Sequence, residues 1–174
     1  MNNGVVNLEP IYAAFFALLT GSASNPACTW TDPVTGNPTT FAIASRVPRD
    51  WQTLTPGQLP ALFQEEIGFE MKPAISTVQA RTKYELRIDV AVIVSSAGAK
   101  QPAGQETQIP AQSINLALTA VLNAVTPEMP GAKQTLGGLV DSVVATGRVE
   151  RVNGLPGAGS QLSIAVVPFT ILTI

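Results

Sequence analysis

The chain has no histidine and one cysteine, Cys28, among its 174 residues. Without histidine there is no Ser-His-Asp or Cys-His catalysis, no histidine metal ligand and no histidine acid–base work. One cysteine excludes an intrachain disulfide and a multi-cysteine metal site, a usage that suits a reducing compartment. Cys28 lies in a turn-rich stretch with no base of the usual kind, so it reads as a small side chain rather than a nucleophile. Charge is scarce as well. Only 13% of residues are charged, about half the roughly 25% of an average globular protein. The net charge of −2 gives no global attraction to nucleic acid. A chain so poorly charged has little protection against association. That points to an oligomer whose surfaces are covered between subunits. A compact monomer with a Thr, Ser, Asn and Gln surface is the other reading.

Long apolar runs are missing too. None approaches the roughly 20 residues that cross a bilayer. The apolar stretch 5–19 is interrupted by Pro10, and no basic residue precedes Arg46, so the charged n-region of a signal peptide is absent. The expectation is a soluble protein made and kept in the cytosol until assembly, with no membrane partner.

What is present fits one domain over 1–174, with long loops at about 22–40 and 96–110. The first helix opens at Leu8-Glu9-Pro10 and ends at Thr20-Gly21. It is apolar nearly all round, which predicts burial on more than one side. Residues 22–40, rich in Ser, Thr, Asn, Pro and Gly and containing Trp30, read as a loop. A short strand over 41–45 follows, then the corner Arg46-Val47-Pro48-Arg49-Asp50-Trp51. A second strand spans 59–66, with Pro60 marking an edge or a start, and a mixed connector covers 68–81. After the loop at 96–110, Ile114, Leu118, Val121, Leu122 and Val125 stripe one face of a helix over 111–125. A strand over 139–146 bends at Gly147 and continues to 152. The last strand, 161–174, holds Pro168, which predicts an edge, a bulge or a change of partner there. The order α, β, β, β, α, β, β gives an α+β fold: a mostly antiparallel sheet of about five strands with both helices on one face.

The longest strand, 83–95, alternates strictly. Tyr84, Leu86, Ile88, Val90, Val92 and Val94 fall on one face; Glu85, Arg87 and Asp89 and then Ala91, Ile93 and Ser95 fall on the other. Its two halves therefore meet two environments. The half from Val90 to Val94 is expected between the helices and a second layer, which a neighbouring subunit can supply. The charged half is expected to reach beyond the helices. Ile93→Asp should then break folding or assembly, and Arg87→Ala should spare the fold.

No residues assemble into catalytic chemistry. Glu65 and Glu66 are strand neighbours and point to opposite faces. Glu85, Arg87 and Asp89 share a face as cross-strand ion pairs do. The glycine-rich 154–160 lacks the Lys-Ser/Thr pair of a phosphate loop and leads into a strand, so it reads as a hairpin connection. Gly137-Gly138 has no dinucleotide-fold context. The protein is expected not to be an enzyme and to need no cofactor or metal.

Several phrases in order carry a resemblance. They are the helix Ile11-Tyr12-Ala13-Ala14-Phe15-Phe16-Ala17-Leu18-Leu19, then Leu59-Pro60-Ala61-Leu62-Phe63-Gln64-Glu65, and the long strand with Tyr84 and Leu86. Ile114-Asn115-Leu116-Ala117-Leu118, the phrase Gln134-Thr135-Leu136-Gly137-Gly138-Leu139-Val140 and the apolar last strand follow. Together they resemble the tail terminator (tail completion) proteins of tailed bacteriophages, over most of the chain outside the two long loops. The resemblance implies a structural virion protein at the head–tail junction. It implies a small α+β subunit, six copies of which form a ring on the head-proximal end of the tail tube. Such a ring stops tube growth and presents a joining surface to neck and connector proteins. DNA passes through its lumen without specific binding, and the host cytoplasm is where assembly occurs. The two loops are long for the family's pattern; they can reach the tail tube, a sheath or the next subunit. Another neck or head–tail connector protein would share the composition. A small-ligand module using the sheet face with Trp30 or Trp51 is a third reading.

The candidate interface residues are Trp30, Arg46, Arg49, Trp51, Ile93, Arg148 and Arg151. Arginine and aromatic side chains at a corner commonly anchor interfaces. A corner ion pair with Asp50 and a core tryptophan is the structural alternative for Arg46, Arg49 and Trp51. Arg148 and Arg151 can reach a partner or line a channel; a solvated strand face is their alternative.

Overall fold

The computed structural model describes residues 7–22, 24–33, 35–72, 83–95, 108–129, 131–157 and 160–173. Helix α1 (Glu9–Thr20) opens with Pro10 in its first turn and with Asn7 Oδ1 accepting the Glu9 N–H at 3.1 Å. It ends on Gly21, whose φ of 65° favours glycine. Ile11, Tyr12, Phe15 and Leu19 bury one face, whereas Ala13 and Ala17 are exposed. The all-round burial expected from composition is therefore corrected: within the chain α1 is covered on one side. Small alanines on the outer face hid the polarity from the pattern.

The stretch 22–40 is not structureless. It holds two small hairpins, β1 (Gly21–Ser22) with β2 (Asn25–Pro26) and β3 (Thr29–Thr31) with β4 (Pro38–Thr40). The turn formers there close hairpins rather than leaving an open loop. A six-stranded sheet carries the domain. Its strands are β5 (Ile43–Ser45), β6 (Ala61–Lys72), β7 (Lys83–Ser95), β8 (Ser142–Ala145), β9 (Glu150–Gly157) and β10 (Ser160–Leu172). They lie in the order β5-β6-β7-β10-β8, and β9 also pairs with β10. Only β5 with β6 is parallel. The expected α+β fold is thus found, with a sheet one strand larger than five.

Pro168 explains the split lane. β9 pairs with β10 as far as Val166, and β8 takes over from Phe169. Proline has no N–H to give, so the ladder breaks where it would be needed. Gly147, at φ 77°, bends the chain beside the Pro168 ring, and the Thr146 N–H reaches the Pro168 carbonyl at 2.8 Å.

Helix α2 (Gln108–Val125) begins slightly before the expected 111; most of the loop expected at 96–110 lies outside the described residues. β6 continues through the expected connector to Lys72, and positions 73–82 lie outside the described residues. A bulge between Glu66 and Gly68 lets it continue. That irregularity breaks the two-residue period on which a sequence reading depends.

Both helices cover one face of the sheet. Phe15 of α1 meets Phe169 of β10 edge-on at 5.2 Å. Ile114, Leu118, Val121 and Val125 of α2 join Leu62, Leu86, Ile88, Val90, Val92, Val167 and Ile171 in the same core. The second face is covered at one end only. There Ala61, Phe63, Ile93 and Leu162 pack with Leu54 in a smaller cluster, flanked by Trp51, Leu59 and Leu155. Two corrections follow for the long strand. Its second layer comes from its own chain, from the corner and the β9–β10 hairpin. Its charged half does not run beyond the helix-side core, because Leu86 and Ile88 are fully buried; it lacks only the second layer.

Candidate assembly surface

Arg46 stands at the crossing of three elements. Its guanidinium donates to both Glu9 oxygens, on α1, and to Glu66 Oε1, on β6. The same group lies over the Tyr12 ring, 5.9 Å from its centroid. The Arg46 hydrogen bond holds the Glu9 carboxyl below its ordinary range, and the paired carboxylates push the Arg46 pKa up. Asp50 takes no part; its Oδ1 accepts the Gln52 N–H at 3.0 Å, capping a 3-10 turn at Trp51–Thr53. Arg46 therefore ties helix to sheet. Arg49 is exposed and has no ion pair among the described residues.

The two tryptophans belong to the fold. Trp30, on β3, is half-buried with its ring 5.1 Å from Phe41. Trp51 closes the second cluster, where Ile93 is only 3% exposed. Trp51 and Ile93, two of the candidate interface residues, thus hold the second layer together within one chain. Arg151, on β9, donates to Asn115 Oδ1 of α2. Arg148 is exposed in the break between β8 and β9 and has no ion pair among the described residues. Cys28 is buried and its thiol is pushed up to about 12 by that burial, which leaves no thiolate for chemistry at neutral pH.

The open half of the second face carries the charged ladder. Lys72 Nζ reaches Glu70 at 2.9 Å and Glu85 at 3.3 Å, and Arg87 adds Glu85 at 3.5 Å. Of these three only Lys72–Glu85 crosses from β6 to β7, the other two lying within a strand, and exposed pairs of this kind are worth little each. Asp89 stands apart, with Glu65 directly across the ladder. Burial first, and then the Glu150 carboxylate, raise its pKa. A concavity of about 540 Å³ opens here over Pro168 and Thr170, rimmed by Ile67, Glu85, Arg87 and Asp89. Neither Trp30 nor Trp51 lines it. No three His, Cys, Asp or Glu residues among those described could hold a metal ion.

The surface that sequence reasoning missed is apolar. Ile67, Phe69 and Met71 of β6 are each more than half exposed, on the part of the strand that projects past β5. Phe69 leans edge-on to Tyr84 at 5.9 Å. Val144 on β8 and Val152 on β9 are about half exposed at the opposite edge. In the sequence Phe69 and Met71 fall in the expected connector over 68–81; the extension of β6 and the lateral order of the strands show them as open strand positions. No helix among the described residues is long and apolar enough to cross a membrane. No protein-family model matches this chain, and no curated protein sequence is similar to it at a meaningful level.

Proposed function

We propose that this chain is a ring-forming structural subunit of a tailed phage particle. It caps the head-proximal end of the tail tube, stops tube growth and offers the surface for head–tail joining. The ring is a hexamer by the family resemblance, and DNA passes through its lumen without specific contacts. Its partners are copies of itself, the tube protein and the neck proteins; a sheath protein is a further one where the tail has a sheath.

The observation that carries this reading is the exposed apolar Phe69 and Met71 on one face of β6 and Ile67 on the other, on a projecting stretch whose edge is unpaired among the described residues. Free apolar edges are a liability that proteins blunt unless the edge is used. The sparse charge and the α+β architecture agree with it. A closed ring requires heterologous contacts, in which two different patches of one subunit meet. A sheet with two dissimilar edges can supply them.

The test is made in particles. Phage lacking this chain should carry tubes of uncontrolled length and unjoined heads, and labelled protein should sit at the tube's upper end. Normal tail lengths without the chain, or label at another level of the neck, would overturn the reading.

A further inference from the structure

We infer that the layer made by α1 and α2 is the face that seats this chain on the end of the tail tube, and that the charged face of the sheet is the side left in solvent for the head. The occupant of the helix layer is a protein surface that is itself flat and uncharged. This rests on the tail role proposed above and assigns a surface to it. Three observations lead there.

The first is where charge is missing. No charged residue occurs over 10–31 or over 107–127, the stretches that hold all of α2 and all of α1 except Glu9. The two helices lie against each other on one face of the sheet. The positions that α2 turns to solvent are Gln112, Asn115, Leu116, Thr119, Leu122 and Asn123; on α1 they include Ala13 and Ala17. A helix face meant for water ordinarily carries charge. Glu9 is tied to Arg46 at the rim, and Arg151, at the flank of α2, is tied to Asn115 Oδ1.

The second is what such a surface can meet. Leu116 and Leu122 are 38% and 36% exposed, among amides, a hydroxyl and alanines. The face lacks the basic residues that attract phosphate, and it lacks the broad apolar stripe and cations of a helix lying on a membrane. Depletion of charge is the mark of a protein interface core. A charged partner would give up hydration there and gain no counter-charge, so the matching surface is neutral as well. α2, at 18 residues, is about 27 Å long, so two adjacent helices present roughly 500 Å² per copy. A ring of such faces reaches the roughly 2,000–5,000 Å² of permanent assemblies.

The third is the contrast with the opposite face. Behind the helices, the open half of the sheet carries Glu70, Lys72, Glu85, Arg87 and Asp89, most of them in exposed ion pairs. A tail cap needs two unlike sides. One is buried as soon as the tube is finished and stays so; the other waits in solvent until a head arrives. Charge depletion suits the first, and a charged surface that stays soluble suits the second. The edges of the sheet point sideways, toward neighbours in the ring, and leave both faces for these partners.

Tubes purified from phage lacking this chain are the probe. Ala17→Arg and Thr119→Lys put a cation on the outer side of each helix at positions already open to water, so circular dichroism and self-association should not change. Each should weaken co-sedimentation with tubes at least tenfold, whereas Arg87→Glu, on the opposite face, should bind as wild type does. A thiol gives a second readout that does not depend on those variants. In a Cys28→Ser background, Thr119→Cys should react with a maleimide at least tenfold more slowly on tubes than free, and Arg87→Cys equally fast in both. Helix variants that bind tubes as wild type does, or a Thr119→Cys thiol that stays reactive on them, would overturn the inference and leave the tail role standing. Wild-type protein that binds no tubes would overturn the tail role, and the tube as occupant with it.

Discussion

The two ends of the central sheet are built from the same strands, yet among the described residues one end is covered on both faces and the other on one. At the end holding Ala61, Ile93 and Leu162, helices cover one face and the corner with Trp51 and Leu54 covers the other. At the end holding Phe69, Leu86 and Ile171, the helix-side core persists but the second face, with Glu70, Lys72, Glu85 and Arg87 on it, has no covering layer among the described residues. Apolar side chains at the first end are buried by their own chain; at the second, Ile67, Phe69 and Met71 remain open. What separates the ends is a second layer, and that layer comes from residues far from the strands in sequence.

Substitutions should divide along the same line. The largest effect belongs to Ile93→Asp, which leaves an unpaired carboxylate in the second cluster. It should cost about 4 kcal/mol or more and leave much of the chain unfolded in denaturant titrations. Arg46→Ala comes next, at about 1 kcal/mol, since it removes two exposed-to-half-buried ion pairs and a ring contact. Its loss has a pH signature. The lowered Glu9 pKa means that the pair stabilises above the ordinary carboxylate range and ceases to do so as pH falls through the folded value. Wild type and Arg46→Ala should therefore converge in stability in acid.

Smaller effects are expected on the open end. Arg87→Ala should move stability by less than about 0.5 kcal/mol, because its partners are solvent-exposed. Asp89→Asn should stabilise by roughly a few tenths of a kcal/mol at neutral pH, by removing a charge that partial burial and then the Glu150 carboxylate disfavour. Here the sign is reversed. The raised Asp89 pKa makes its charge a cost that is absent below the unfolded pKa and grows as pH rises through the folded one. Thermal melts across the carboxylate range should show that slope in wild type and a flatter one in Asp89→Asn.

The sequence made some of this division legible. Strict alternation from Tyr84 to Ser95 identified the long strand, and the end of the charges at Asp89 marked where its environment changes. Pro168 marked an edge, a bulge or a change of partner and Gly147 a bend; the structure realises the change of partner, with the one expected strand split into β8 and β9. Other features depend on residues distant in the chain. Arg46 meets partners 37 and 20 positions away, which no local pattern reveals. The extension of β6 was hidden by its bulge at Ile67, and the hairpins in 22–40 by their turn-rich composition. Trp51 and Ile93 looked like interface anchors because nothing in the sequence names the second layer; Phe69 and Met71 fell in the expected connector because the bulge at Ile67 hid the strand they belong to.

The most direct measurement compares Ile93→Asp with Phe69→Ser in two readouts: denaturant midpoint at low protein concentration, where mass action is removed, and mass by light scattering at high concentration. Phe69→Ser should keep the wild-type midpoint and lose the associated mass, while Ile93→Asp should lose the midpoint itself. A Phe69→Ser protein that unfolds as early as Ile93→Asp, or that associates as wild type does, would contradict the division of the sheet into a folding end and an assembly end.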